Sequence, residues 1–253
     1  MKKRGGQDTK ITFFYVVGLL AWVFMVVVGV QLAIGILAAM IIPIDALRST
    51  LGNAILSAIC YALALFILLW LTPRIIALWQ EKTQKKPVKP AKFNRERMGL
   101  LGLPTWTDIG LAPVGYIATL VMATGLTAIF RLFPWFEASE AQDLGYSLYM
   151  QGVERGLAFV ALAVIAPIVE EIIFRGFLYG KLRIKIPKWL AIFLTSLLFG
   201  LIHFQWNVGL TVFAMSIVAC VLREITGTIY AGILVHILNN GVAFFLVYVV
   251  GIM

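Results

Sequence analysis

The sequence predicts an all-α fold, a polytopic transmembrane helix bundle of about seven to eight spans. Three observations carry this. Apolar residues make up 61% of the 253-residue chain and charged residues only 13%, against roughly half and a quarter in soluble domains. Several apolar runs reach the roughly 20 residues that a helix needs to cross a bilayer. The Lys and Arg residues gather in short segments between those runs, as the positive-inside rule requires.

Hydropathy places the spans at 12–44, 51–72, 111–133, 156–179, 189–205, 208–223 and 228–251. The first follows Lys2, Lys3, Arg4 and Lys10. It is over twice the roughly 7–15 apolar residues of a signal peptide, so it reads as a retained span. At about 1.5 Å per residue it would reach about 50 Å, so it is expected to tilt, to project, or to kink near Gly29 or Gly35. After the second span comes a polar, proline-containing stretch, Lys82 to Lys92. Its basic residues suit a flexible linker at the anionic inner leaflet. Gly102 and Pro104 make 99–112 a candidate re-entrant eighth element. The loop 134–155 then carries Glu137, Glu140, Asp143 and Glu154. The chain divides at the linker: 1–98 holds N-terminal spans and the linker, and 99–253 holds a core with the unusual residues.

With the N-terminus inside, the inner segments hold seventeen Lys and Arg residues and the outer ones three, Arg48, Arg131 and Arg155. The formal charge of +9 is thus a topology signal, and no nucleic-acid partner follows from it. Cys60 and Cys220 lie in apolar runs without CxxC spacing and read as small core residues.

The informative residues lie inside three spans. Glu170 and Glu171 sit in the fourth, where an ionisable group costs a few kcal/mol or more and marks a functional site. Glu171 and Arg175 are four residues apart with the acid first, the favourable order for an intrahelical ion pair. Glu170 is rotated by about 100° from Glu171 and is expected to face a different neighbour. Pro167, one turn earlier, should free the Ala163 carbonyl and bend the helix. Phe199 and His203 share a face of the fifth span, and His236 and Asn240 a face of the last, with Asn239 beside them. Carboxylate, imidazoles and amides on three helices supply a base for water and donors for an oxyanion. By helical rise Glu170 and His236 lie about 15 and 13 Å from the inner boundary, and His203 about 22 Å.

Glu170-Glu171-Ile-Ile-Phe-Arg175, then Phe199-Gly-Leu-Ile-His203, then His236-Ile-Leu-Asn-Asn240 resemble the EExxxR, FxxxH and HxxxN motifs of the CPBP family of intramembrane proteases, also called the CAAX prenyl protease type II or Abi family. The resemblance covers roughly 111–253 and implies proteolysis at an intramembrane site opening toward the cytosol. It implies Glu170 as the base that activates water, helped by His203. It implies His236 and Asn240 as stabilisers of the oxyanion, with Glu171, Arg175, Phe199 and Asn239 in support. No HExxH helix is present. The preferred chemistry needs no cofactor; if zinc is bound, Glu170, His203 and His236 are its ligands, with water in the fourth position. The expected partners are the lipid bilayer and a membrane-associated or lipidated peptide or protein substrate.

Two other readings compete. Family resemblance also implies bacteriocin-immunity or envelope-regulating scaffolds that work by protein–protein interaction. An ion or proton relay would need polar groups along a path through both leaflets, whereas the spans before residue 72 look bare. The short cationic N-terminus suits a bacterial plasma-membrane protein with a cytoplasmic N-terminus.

Overall fold

The computed structural model describes residues 3–140 and 145–251; Lys2 and Asp143, used above, lie outside the described residues. Eight helices order the described chain: α1 (Lys3–Ile41), α2 (Ile44–Arg48), α3 (Thr50–Gln84), α4 (Trp106–Phe130), α5 (Gly152–Leu182), α6 (Lys188–Leu201), α7 (Trp206–Thr226) and α8 (Tyr230–Val250). Six of them, α1 (from Thr12), α3, α4, α5, α7 and α8, are long and apolar enough to cross a membrane. The protein is a polytopic helical bundle and an integral membrane protein.

The predicted fifth span is the departure. Its helix, α6, has only 14 residues, about 21 Å of length. Hydropathy ran the span to residue 205, but the chain turns after Leu201, with Phe204 in the left-handed region (φ 53°). The other departures are local. Helix α1 runs as one α-helical element through Gly29 and Gly35. Residues 99–104 form no re-entrant element. They lead into α4, whose first turn is capped reciprocally by Thr105 and Asp108, a pairing that satisfies two orphan amides. Asp108 also accepts from Thr228 Oγ1 on the α7–α8 connection (3.0 Å).

Prolines shape α3 and α5 by one mechanism. In α register, Pro73 and Pro167 would each press their ring on the carbonyl four residues back. Both follow wider, π-helical turns, Ile67–Leu71 and Val160–Ile165. The amide before each proline bonds five residues back, Thr72 to Ile67 and Ala166 to Ala161. The widened turn relieves the clash, so each helix continues past its proline.

Helix α7 lies against α4 and α6, and α8 against α4 and α5, with α1 and α3 at the flank. The core is formed by Phe174, Phe199, Met215, Leu222 and Val235. Polarity is inverted relative to a soluble domain: Thr119, Thr195, Ser196 and Ser216 are buried while Leu78, Val121 and Met40 are exposed. A surface of that kind suits hydrocarbon. Loop contacts sort the two ends of the bundle. Arg223 Nη2 donates to Arg97 O (2.6 Å), Ile229 N to Gly99 O (3.0 Å) and Tyr230 Oη to Gly102 O (2.9 Å) at one end. At the other, Asn207 Nδ2 donates to Glu140 O (2.7 Å) and Trp135 packs on Trp206.

Helices α6 and α7 approach backbone to backbone. A Cβ on Gly200 would stand 2.9 Å from Gly209 O and 3.2 Å from Phe213 Cβ. Gly200→Val should therefore push the two helices apart and destabilise by about 1–3 kcal/mol, the usual cost of overpacking. A lowered midpoint in thermal unfolding of the detergent-solubilised protein reads this; an unchanged midpoint would show that the helices yield freely.

Candidate active site

The site is built where α5, α8 and α3 meet. Glu171 and Arg175 are both fully buried, with Glu171 Oε1 3.0 Å from Arg175 Nη1. Burying charge is tolerable only when it is paired and held in good geometry. The Arg175 guanidinium also lies over the Phe199 ring, 4.5 Å from its centroid, a cation–π contact strengthened by desolvation. Small residues make room for the carboxylate. A Cβ on Gly232 of α8 would meet Glu171 Oε2 at 3.0 Å and Ala219 Cβ of α7 at 3.2 Å.

Glu170 differs from its neighbour in being reachable, with 19% of its side chain exposed. Its Oε1 accepts from Tyr61 Oη of α3 at 2.7 Å, and its Oε2 stands 3.7 Å from His236 Nε2 of α8. The expected division of the glutamates is thus partly bridged. His236 is almost fully buried and its Nδ1 lies 3.2 Å from Glu171 Oε1. Since a carboxylate only accepts, Nδ1 carries the proton in this contact. One imidazole therefore spans both acids, held by Glu171 and aimed at Glu170.

Asn240 sits one turn beyond His236, and its Nδ2 donates to Leu162 O (3.0 Å). The expected orphan was the Ala163 carbonyl. In the π register the acceptor that Pro167 leaves without an amide is five residues back, which is Leu162. Asn240 therefore satisfies a carbonyl that the proline frees. Asn239 Nδ2 donates in turn to Asn240 Oδ1 (3.2 Å). Asn240→Ala should strand the Leu162 carbonyl inside the bundle and cost about 1–3 kcal/mol. Thermal unfolding of the folded variant measures it, and an unchanged midpoint would mean that the carbonyl finds another donor.

His203 is not brought onto Glu170: among the described residues the two make no hydrogen bond or ion pair. It lies past the end of α6, where its Nδ1 donates to Phe199 O (2.8 Å). Its ring packs on Phe199, which also packs on His236, at centroid distances of 5.2 and 5.8 Å. Of the three residues named for zinc, Glu170 and His236 approach each other and, among the described residues, His203 makes no contact of that kind with Glu170. Among the described residues no three His, Cys, Asp or Glu side chains gather as a metal site, so the donor set does not fit a three-ligand zinc centre.

Tyr61 is not among the site residues expected from the sequence, because the first two spans look bare. A signal was present. Tyrosines of membrane proteins favour the interfacial belts, and Tyr61 sits well inside the apolar run 51–72.

A membrane bundle that brings a sealed Glu171–Arg175 pair, a partly exposed Glu170 and His236 together from facing helices defines a class, the integral membrane proteins with an ionisable cluster in their interior. Residues 153–242 match the family described as Rce1-like, type II CAAX prenyl endopeptidase Rce1-like. The match supports a CPBP-family protease and, in general, an intramembrane endopeptidase of the CAAX type. It spans all three motifs and is narrower than the 111–253 suggested by the sequence. No curated protein and no solved structure matches the chain.

Proposed function

We propose that the protein hydrolyses a peptide bond in a membrane-associated or lipidated peptide, with Glu170 as general base on water. One observation carries this: of two adjacent glutamates, one is sealed against an arginine and the other stays 19% exposed beside a histidine. The exposed carboxylate can reach substrate and water, and the sealed one cannot.

In the proposed reaction a water beside Glu170 attacks the scissile carbonyl carbon. Glu170 takes the proton that the water loses, and the carbonyl π pair moves onto oxygen. The oxyanion is met by donors, chiefly His236 when its Nε2 is protonated. Glu171 accepts from Nδ1 and so fixes which imidazole edge faces the site. Asn240 retains a second amide hydrogen besides the one given to Leu162, which lets it contribute. Collapse breaks the C–N bond, and Glu170 returns its proton to the leaving amine. His203 lends support from the α6–α7 turn, since its Nδ1–H bond to Phe199 O leaves neutral Nε2 as an acceptor.

The matched family's description names CAAX prenyl endopeptidases, so the proposed substrate is a peptide with a lipidated cysteine near its C-terminus. In this reading the protein sits in a bacterial plasma membrane with its basic segments and N-terminus on the cytoplasmic side, the orientation that the Lys and Arg bias favours. The test uses the full chain in lipid nanodiscs with a quenched fluorogenic peptide ending in an S-farnesylated cysteine motif. Comparative peptidomics of cells with wild type or Glu170→Gln extends it to native substrates. Cleavage by wild type and none by Glu170→Gln is expected. A Glu170→Gln variant that restores the cellular phenotype in full would favour a scaffold instead.

A further inference from the structure

We infer that Tyr61 is a positioning residue of the proposed active site, so that the N-terminal half of the chain completes a site whose motifs all lie in the C-terminal half. The inference rests on the reading of Glu170 as the base. The contact joins residues 109 positions apart in sequence, at 2.7 Å. Tyr61 lies outside the matched segment 153–242 and on the other side of the basic linker from every motif residue.

The chemistry of the contact is specific. A phenolic O–H donating to a carboxylate is a charge-assisted hydrogen bond, shorter and about twice as strong as a neutral one. It occupies Glu170 Oε1, while Oε2 faces His236. One carboxylate oxygen is thus anchored and the other is left toward the imidazole and the space where water must sit. Without the anchor the carboxyl group of Glu170 is free to turn about its last torsion, whose well is broad. Near-attack geometry of a base is lost with small misplacements. The anchor itself is well placed. Tyr61 stands on the α-helical part of α3 (Thr50–Phe66), before the π-helical turn, and α3 packs directly on α5.

A residue that acts through the base should change kcat and leave KM alone, since it touches no substrate. Tyr61→Phe removes only the hydroxyl. In nanodiscs, with the same quenched farnesylated peptide, kcat per folded molecule should fall about 10- to 100-fold. KM should stay within about twofold and the thermal midpoint should hold. Tyr61→Leu, which also removes the ring, should lose no more in kcat than Tyr61→Phe. Wild-type kcat in Tyr61→Phe would overturn the inference, as would a raised KM with kcat intact, or a loss confined to the folded yield. Glu170→Gln run beside it separates the two ideas. If Glu170→Gln retains turnover, the base assignment fails and this inference falls with it. If Glu170→Gln is dead and Tyr61→Phe is normal, only the role of Tyr61 fails.

Discussion

Glu170→Gln is expected to lower turnover of the farnesylated peptide by about 10²- to 10⁴-fold, the range in which a positioned general base works. The substitution is nearly isosteric, and its amide oxygen can still accept from Tyr61, whose hydroxyl is 2.7 Å from Glu170 Oε1 in the native protein. What it removes is the ability to take a proton from water. The partly exposed position means that no sealed charge pair is broken, so the thermal midpoint should stay near that of wild type. Full turnover in a folded Glu170→Gln variant would take the base role away from this residue. Glu171→Gln offers the contrast. It weakens both the Arg175 ion pair and the grip on His236 Nδ1, so it should lose stability and turnover together.

Arg175→Met should produce the largest loss of stability of any single change considered. It leaves Glu171 at zero exposure with His236 as the partner it keeps. Breaking a buried pair by removing one member typically costs about 3–5 kcal/mol. It also empties the cation from the face of Phe199, 4.5 Å away. Replacing both charges by apolar groups of similar size, Glu171→Leu with Arg175→Met, should restore much of the stability, because no uncompensated charge remains. It should not restore turnover, because His236 would have lost the acceptor that orients it. Equilibrium unfolding of the two single variants and the double one gives the coupling directly. Additive losses would show that the pair contributes nothing as a pair.

Much of this protein is legible along the chain because much of it is local. Hydropathy and charge bias disclose the bundle, since a span must be apolar over its whole length. The Glu171–Arg175 pair is legible because it lies within one helix, where spacing fixes proximity. Legibility stops at the boundaries and between helices. The end of α6 falls before the expected residue 205 because no glycine or proline within 202–205 marks it, yet the chain turns after Leu201 and Phe204 takes the left-handed region. The carbonyl freed by Pro167 was assigned one residue late because a π-helical turn has no marker in composition.

Solvent and helical period, both local to the chain, are enough to specify an all-α membrane bundle, the three segments that carry the motifs, and the Glu171–Arg175 pair. Packing between helices is what sets Tyr61 against Glu170, His236 across both glutamates, Asn240 on Leu162, and His203 away from Glu170. Those contacts depend on how helices are rotated and how closely they cross. Rotation and crossing follow from close packing at positions such as Gly200 and Gly232, where the neighbour on the facing helix, and not the residue's own place in the chain, settles what can touch.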